Sequence, residues 1–467
     1  MSSTVVRSLP WIEPVHAASL LRNKGGLVFL DSAMRHDNHG RYSYVAVDPF
    51  GTLMAKERVA YWNDEPVGTT PLEAIAATLK QYEQPDIPGL PPFQGGAIGY
   101  FSYEFGESLE QLPATREPDH GSIPDIELMF YDALCAFDHV EQKAWIISTG
   151  FPHLQADERA ERATSRANQI EAALAENSAQ DCDSKTGICI GRDGWTSNFT
   201  QSRYMTSVQE VVDSILAGDI FQANLSQRFT TDLPAGFDTW AFYQRLRVAN
   251  AAPFAAFIDR GEMAIASSSP ERFLKVNGSQ VETRPIKGTA RRAIDPQEDQ
   301  AIADELLASE KDRAENLMIV DLLRNDLSRV CLPDSVKTPD LCVLETYSGV
   351  HHLVSSVTGV LPSGKTAAEL LGVSFPGGSI TGAPKIKAME IISRIEQDQR
   401  GVYCGAIGYY SFNCKSDTNI AIRTVLFQNG VASFQAGGGI TALSDPRLEY
   451  EETLTKAERI FRAFESL

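Results

Sequence analysis

The apolar positions of the chain fall into two regimes. Up to about residue 150 they form short runs closed by turn residues, as in LVFLDSA (27–33), RYSYVAVDP (41–49), GAIGYFSYE (96–104) and IELMFYDALCAF (126–137). This N-terminal portion, residues 1–150, is expected to be mostly sheet. From about Gln155 to Glu176 the chain changes to AERATSRANQIEAALAE, a helical composition whose apolar residues are too sparse for a deeply buried face. The polar run NSAQDCDSKTG follows to Gly187, so residues 151–195 read as a helix and linker. The larger portion, 196–467, opens on helical SRYMTSVQEVVDSILAG and then alternates strands and helices without another break of that length or an internal repeat.

Composition narrows the class of function. With 467 residues, 43% hydrophobic and 22% charged, the chain fits a soluble globular protein. Its formal net charge of −19 would repel a phosphate backbone or an anionic membrane, so neither nucleic acid nor membrane is an expected partner. No eighteen apolar residues run together, and the first thirty lack the basic-then-hydrophobic order of a signal peptide. The seven cysteines form no CxxC pair, which argues against a zinc cage or a disulfide framework and for a reducing, cytoplasmic setting.

Several clusters could carry chemistry. Residues 301–330 have the composition and spacing of long helices, with Asp312 and Glu315 on one face. SDPRLEYEETLTKAERIFRAF (444–464) opens with capping residues and Pro446, then places Glu449, Glu452 and Lys456 on one stripe. Taken singly, such carboxylates are more often solvated surface charge; taken together, two acidic pairs without His or Cys would suit a hard cation such as Mg²⁺. SSSPERFLKVNGSQVETRPIKGTARR (267–292) reads as a hairpin around Asn277-Gly278, which could bring Glu271 and Lys287 onto neighbouring strands. A desolvated lysine crowded by Arg284 and Arg291 would lose its proton more easily and become a nucleophile, although a surface lysine in a turn is the commoner case. The glycines of PGGSITGAPK (376–385) and AGGGITA (436–442) lack the spacing of a nucleotide loop but could offer backbone NH groups to a carboxylate. His351 and His352 alternate across a strand, so only one can face a site.

Taken together, SPERF (269–273), PIKGT (285–289), KDRAENLMIVDLLRND (311–326), HLVS (352–355), PGGSITGAPK, GVYCGAIGY to AIRT (401–424), AGGGI and EYEET (449–453) closely resemble the chorismate-utilising enzymes in order and spacing. FLDSA, RYSYVAVDP and GGAIGYFSYE extend the resemblance more loosely into the N-terminal portion. It implies an α+β fold with two facing β-sheets flanked by helices, the two portions interleaved into one body. The third residue of PIKGT discriminates within the family: the anthranilate-forming branch typically carries alanine there, and the branch that aminates C4 commonly carries lysine, as at Lys287. Gln222 stands where the isochorismate and salicylate enzymes place a water-activating lysine, which disfavours hydroxylation at C2.

The resemblance therefore implies conversion of chorismate and ammonia to 4-amino-4-deoxychorismate through a covalent Lys287 adduct, with Glu271 as acid. It implies Mg²⁺ on Glu315 and Glu452, with Asp312, where the family has Glu, and Glu449 binding directly or through water. Arg423 and Tyr403 match residues that hold the enolpyruvyl carboxylate, Gly438 and Gly439 offer backbone NH groups, and Lys456 adds charge. Gly288, Thr289, His352, Ser379 and Thr381 match other pocket positions. No glutaminase segment is evident, so a separate glutamine amidotransferase subunit is the implied ammonia donor. Leu30-Asp31-Ser32 and Pro253-Phe254 match the walls of an L-tryptophan site in anthranilate relatives. The alternatives are anthranilate synthase activity and a catalytically silent subunit that regulates the amidotransferase.

Overall fold

The computed structural model describes residues 3–34, 40–110, 112, 123–176, 187–346 and 349–465. It contains two antiparallel sheets of twelve strands each. Both sheets mix strands from the two ends of the chain. In the first, Val28–Asp31 pairs with Phe254–Asp259, setting Phe29 opposite Phe257. In the second, Gly96–Phe101 pairs with Ala406–Ser411, setting Ile98 opposite Tyr409. The two portions are therefore interleaved, as the family resemblance implies.

The period-two alternation of strand side chains explains the layers. Ile98, Tyr100, Met129 and Tyr131 of the second sheet pack against Val28, Tyr44, Ala46, Ala256 and Ile258 of the first, filling the space between them. Their neighbours Ala97, Phe101, Leu128 and Phe130 turn outward into a core shared with helical Phe105, Leu323 and Leu371. On the other side, Phe29, Val45, Phe137 and Ile146 meet helical Trp240, Phe242 and Phe464. Central strands are thus covered on both faces, which is why Ile126–Tyr131 of the second sheet and Ala133–Asp138 of the first, joined at Asp132, are largely apolar on both faces.

The helix Ala156–Glu176 departs from its sequence reading. Its face is deeply buried after all: Ala163, Ala167, Ile170 and Ala173 are 0–4% exposed against the first sheet. Small alanines let the helix approach closely, and the arginines that look like surface charge are paired inward. Arg162 and Arg166 both reach the buried carboxylate of Asp132, at 2.9 and 3.2 Å. Residues 177–186 of the expected linker lie outside the described residues.

Two helices carry the acidic stripes toward one place. Glu310–Ser328 packs on the strand Val350–Val360 of the second sheet, and Pro446–Glu465 packs on Val431–Ile440 of the first. Both starts are specified locally, by Ser309 accepting from the Asp312 NH and by Asp445 accepting from the Arg447 and Leu448 NH groups. No helix among the described residues is long and apolar enough to cross a membrane, and the six described cysteines are free thiols.

Candidate active site

The strand Ile286–Arg291 forms an edge of the second sheet, paired with Val350–Val360. Its register shifts between Ile286 and Thr289, where Gly288 adopts φ 80°. Such an irregularity re-aims a side chain, here Lys287, out of the ladder. A larger residue at 288 would be doubly disfavoured, because its Cβ would also stand 3.0 Å from Asp312.

Lys287 and Glu271 meet on one residue. The Lys287 Nζ donates to the Ser379 carbonyl at 3.1 Å, and the Ser379 hydroxyl donates to Glu271 Oε1 at 2.8 Å. Glu271 is 7% exposed. Burial pushes its carboxyl above the usual carboxylate range, opposed by Ser379, Lys287 and Arg423. Desolvation also lowers the Lys287 ammonium, against the pull of Glu271 and Glu315. Both displacements favour the uncharged form.

The loop carrying Ser379 is braced from below. Thr381, fully buried, donates its hydroxyl to the Gly377 carbonyl at 3.0 Å. Arg400 and Glu396, 0% and 3% exposed, form a bidentate pair at 2.7 and 2.8 Å. Arg400 also donates to the carbonyls of Ile380 and Asn224, while Glu396 accepts from the Ser226 NH. This buried and well-satisfied pair ties the Ser379 loop to the strand that carries Gln222. Sequence reasoning missed it, because an acid and a base four residues apart at a helix end look the same when solvated. Lys385, bonded at 2.8 Å to both Asp326 and the Ser374 carbonyl, fixes the far end of the loop.

Glu449 and Glu452 meet beside Gly438. A Cβ there would lie 3.2 Å from Glu449, 3.4 Å from Glu452 and 3.7 Å from Lys456, so glycine keeps the space open. Burial raises the carboxyls of Glu315 and Glu449. Burial acts the same way on Glu452, but Lys456, 2.6 Å away, outweighs it and holds the group low. Lys456 also donates to the Gly437 carbonyl at 3.0 Å. Two carboxylates already accept hydroxyl donors: Asp312 from Ser309 at 2.5 Å and Glu449 from Ser444 at 2.6 Å. No group of three or more His, Cys, Asp or Glu side chains among the described residues is gathered closely enough to enclose an ion. The donor set is nevertheless all oxygen, and Mg²⁺ commonly uses only one or two carboxylates, completing its shell with water and substrate.

The remaining residues line a cationic side. Arg423, with φ 52°, places Nη1 3.4 Å from Asn250 Oδ1. Burial, reinforced by Arg459, lowers its guanidinium to about 10. His352 is lowered to about 4 by burial and then by Arg423, so it is neutral at pH 7, and its Nδ1 lies 2.8 Å from the Thr289 hydroxyl. His351 faces the other way, bonded to Asp299 and Thr346 at 2.9 Å each. Gln222 is 1% exposed, and Gly439 makes room for it, since a Cβ there would meet its Nε2 at 2.2 Å. Tyr403 is 7% exposed, with the Arg400 guanidinium 5.8 Å from its ring.

A separate cavity of about 280 Å³ opens between the sheets, lined by Leu30, Asp31, Ser32, Pro253 and Phe254 together with Tyr44, Tyr409 and Asp417. The Asp31 carboxylate is held by Arg247 and Tyr243, at 2.8 and 3.0 Å. Ser32 donates to the Tyr42 carbonyl at 2.6 Å.

Residues 32–462 match the family described as chorismate binding enzyme. The chain is 40% identical to the aminodeoxychorismate synthase component 1 of Salmonella typhimurium, covering all of this chain and 99% of that protein. It is 37% identical to the anthranilate synthase component 1 of Mycolicibacterium smegmatis, over 95% of this chain and 86% of that one. The solved anthranilate synthase component I of Streptococcus pneumoniae is similar with a TM-score of 0.80 and 32% identity, covering 90% and 92% of the two chains.

Ser379→Ala should raise the Glu271 titration, because it deletes a hydrogen bond that favours the carboxylate. In the pH profile of chorismate turnover, one apparent pKa should rise and the other change less; two unmoved values would contradict this link.

Proposed function

The chain belongs to the chorismate-binding enzymes, and from that premise we propose that it converts chorismate and ammonia to 4-amino-4-deoxychorismate, on the route to p-aminobenzoate and folate. One observation carries the reading: Lys287, at the position where the anthranilate-forming branch has alanine, shares Ser379 with Glu271. The full-length similarity to the Salmonella typhimurium protein supports the same branch.

The neutral Nζ of Lys287 attacks ring carbon C2. Both double bonds of the ring diene shift, from C1–C2 to C1–C6 and from C5–C6 to C4–C5, the C4–O bond breaks, and Glu271 gives its proton to the departing hydroxyl, which leaves as water. The lysine nitrogen, now bonded to C2, returns a proton to Glu271. Ammonia then bonds to C4 as the C2–N bond breaks, and the proton shed by the incoming nitrogen goes to the departing lysine. Gln222 offers no basic nitrogen to activate water at C2.

We assign Mg²⁺ to Glu315 and Glu452, with Asp312 and Glu449 contributing directly or through water. The ion, when bound, would neutralise the ring carboxylate of chorismate. Arg423 and Tyr403 hold the enolpyruvyl carboxylate, Lys456 adds positive charge, and Gly438 and Gly439 present backbone NH groups. Gly288, Thr289, His352 and Thr381 complete the pocket. Ammonia comes from a separate glutamine amidotransferase subunit, which high ammonium can replace in vitro, and the setting is the reducing cytoplasm. The cavity between the sheets takes L-tryptophan, with Ser32, Pro253 and Phe254 at its walls.

With chorismate, Mg²⁺ and ammonium, the protein should form 4-amino-4-deoxychorismate and no fluorescent anthranilate. Lys287→Ala should reduce turnover by about 100-fold or more. Anthranilate as product would favour the sister activity, and no turnover by the native chain would favour a silent subunit. Calorimetric titration should show saturable L-tryptophan binding that Ser32→Ala weakens; an absence of heat would remove the tryptophan assignment.

A further inference from the structure

The stripe of Glu449, Glu452 and Lys456 continues one turn further to Arg459 on the same helix. Charges along it thus run acid, acid, base, base. Arg459 places Nη1 3.3 Å from Asn250 Oδ1, the same oxygen that faces Arg423 Nη1 at 3.4 Å. Asn250 is 1% exposed, and its Nδ2 donates to the Ser268 hydroxyl at 2.7 Å, which fixes the amide with its oxygen toward both guanidiniums. Among the described residues neither arginine has a carboxylate within 4.0 Å.

A neutral amide is an informative acceptor here. An aspartate would cancel one of the two charges, whereas asparagine holds both arginines and leaves both charges available. Two uncancelled guanidiniums side by side repel each other, and an anion bridging them relieves that repulsion. Arg423 is half-buried, while Arg459 is exposed at the solvent side. In a chain of net charge −19, an exposed cation beside the pocket would also help to draw in an anionic substrate.

We propose that Arg459 is a second cationic ligand for the enolpyruvyl carboxylate of chorismate, and that Asn250 is the positioning residue that keeps the Arg423–Arg459 pair charged. This rests on chorismate being the substrate, as argued above, and adds a binding residue to that site.

The test follows chorismate consumption with saturating ammonium and Mg²⁺ in the native protein and in the Arg459→Gln, Arg459→Lys and Asn250→Asp variants. Arg459→Gln should raise KM about 10-fold with kcat within about twofold, as expected for loss of one charged contact. It should also flatten the salt dependence of kcat/KM without lowering the melting temperature. Arg459→Lys should restore most of the KM, and Asn250→Asp should raise it. An unchanged KM and salt dependence in Arg459→Gln would overturn the proposal, as would a KM increase that lysine does not rescue. Because substrate loss is followed, a native enzyme that forms anthranilate would refute C4 amination and still leave the arginine comparison decisive.

Discussion

An amine and a carboxyl, brought together in an acidic protein, must both be kept from ionising if one is to attack and the other is to donate a proton. Side by side in water they would exchange a proton and form an ion pair. Desolvation opposes that outcome for both groups, raising Glu271 and lowering Lys287. The opposing pull is real: each group stabilises the charge of the other. Ser379 stands between them, with its carbonyl on the amine and its hydroxyl on the carboxyl, so the pair is held close without requiring direct contact.

The architecture can be understood as the means of building that enclosure. Lys287 comes from a bulged edge strand of the second sheet, and Glu271 from the turn just before Arg272–Asn277. Ser379 comes from a loop braced by the buried Arg400–Glu396 pair. Glycines at 288, 438 and 439 leave gaps where a Cβ would crowd Asp312, Glu449 and Gln222. Polarity across the site is also graded, with the carboxylates of two helices on one side and the guanidiniums around Asn250 on the other. That gradient suits the proposed assignment, in which one carboxylate of chorismate meets a metal ion and the other a pair of arginines.

Much of this was legible in the sequence, and the exceptions share a cause. The two strands within IELMFYDALCAF, Ile126–Tyr131 and Ala133–Asp138, are legible because both of their faces are buried. The Glu449, Glu452 and Lys456 stripe followed from helical spacing, and the opposed facing of His351 and His352 from strand alternation. The burial of Ala156–Glu176 did not, since alanine and arginine form an interior face only when a buried partner such as Asp132 is supplied from elsewhere. The same holds for Arg400–Glu396 and for Arg459. Nothing adjacent in sequence marks them, and their significance comes from Ile380, Asn224 and Asn250, brought in from distant segments. Lys287 itself looked like a turn lysine until the family resemblance singled it out, and the bulge supplies the physical reason.

The central claim concerns a bond between a protein nitrogen and a substrate carbon, and that bond can be trapped. Without ammonia the second displacement cannot proceed, so incubation with chorismate and Mg²⁺ followed by peptide mass spectrometry should locate a chorismate-derived adduct, formed with loss of water, on Lys287. An unmodified lysine in protein that turns over normally once ammonium is added would contradict the account.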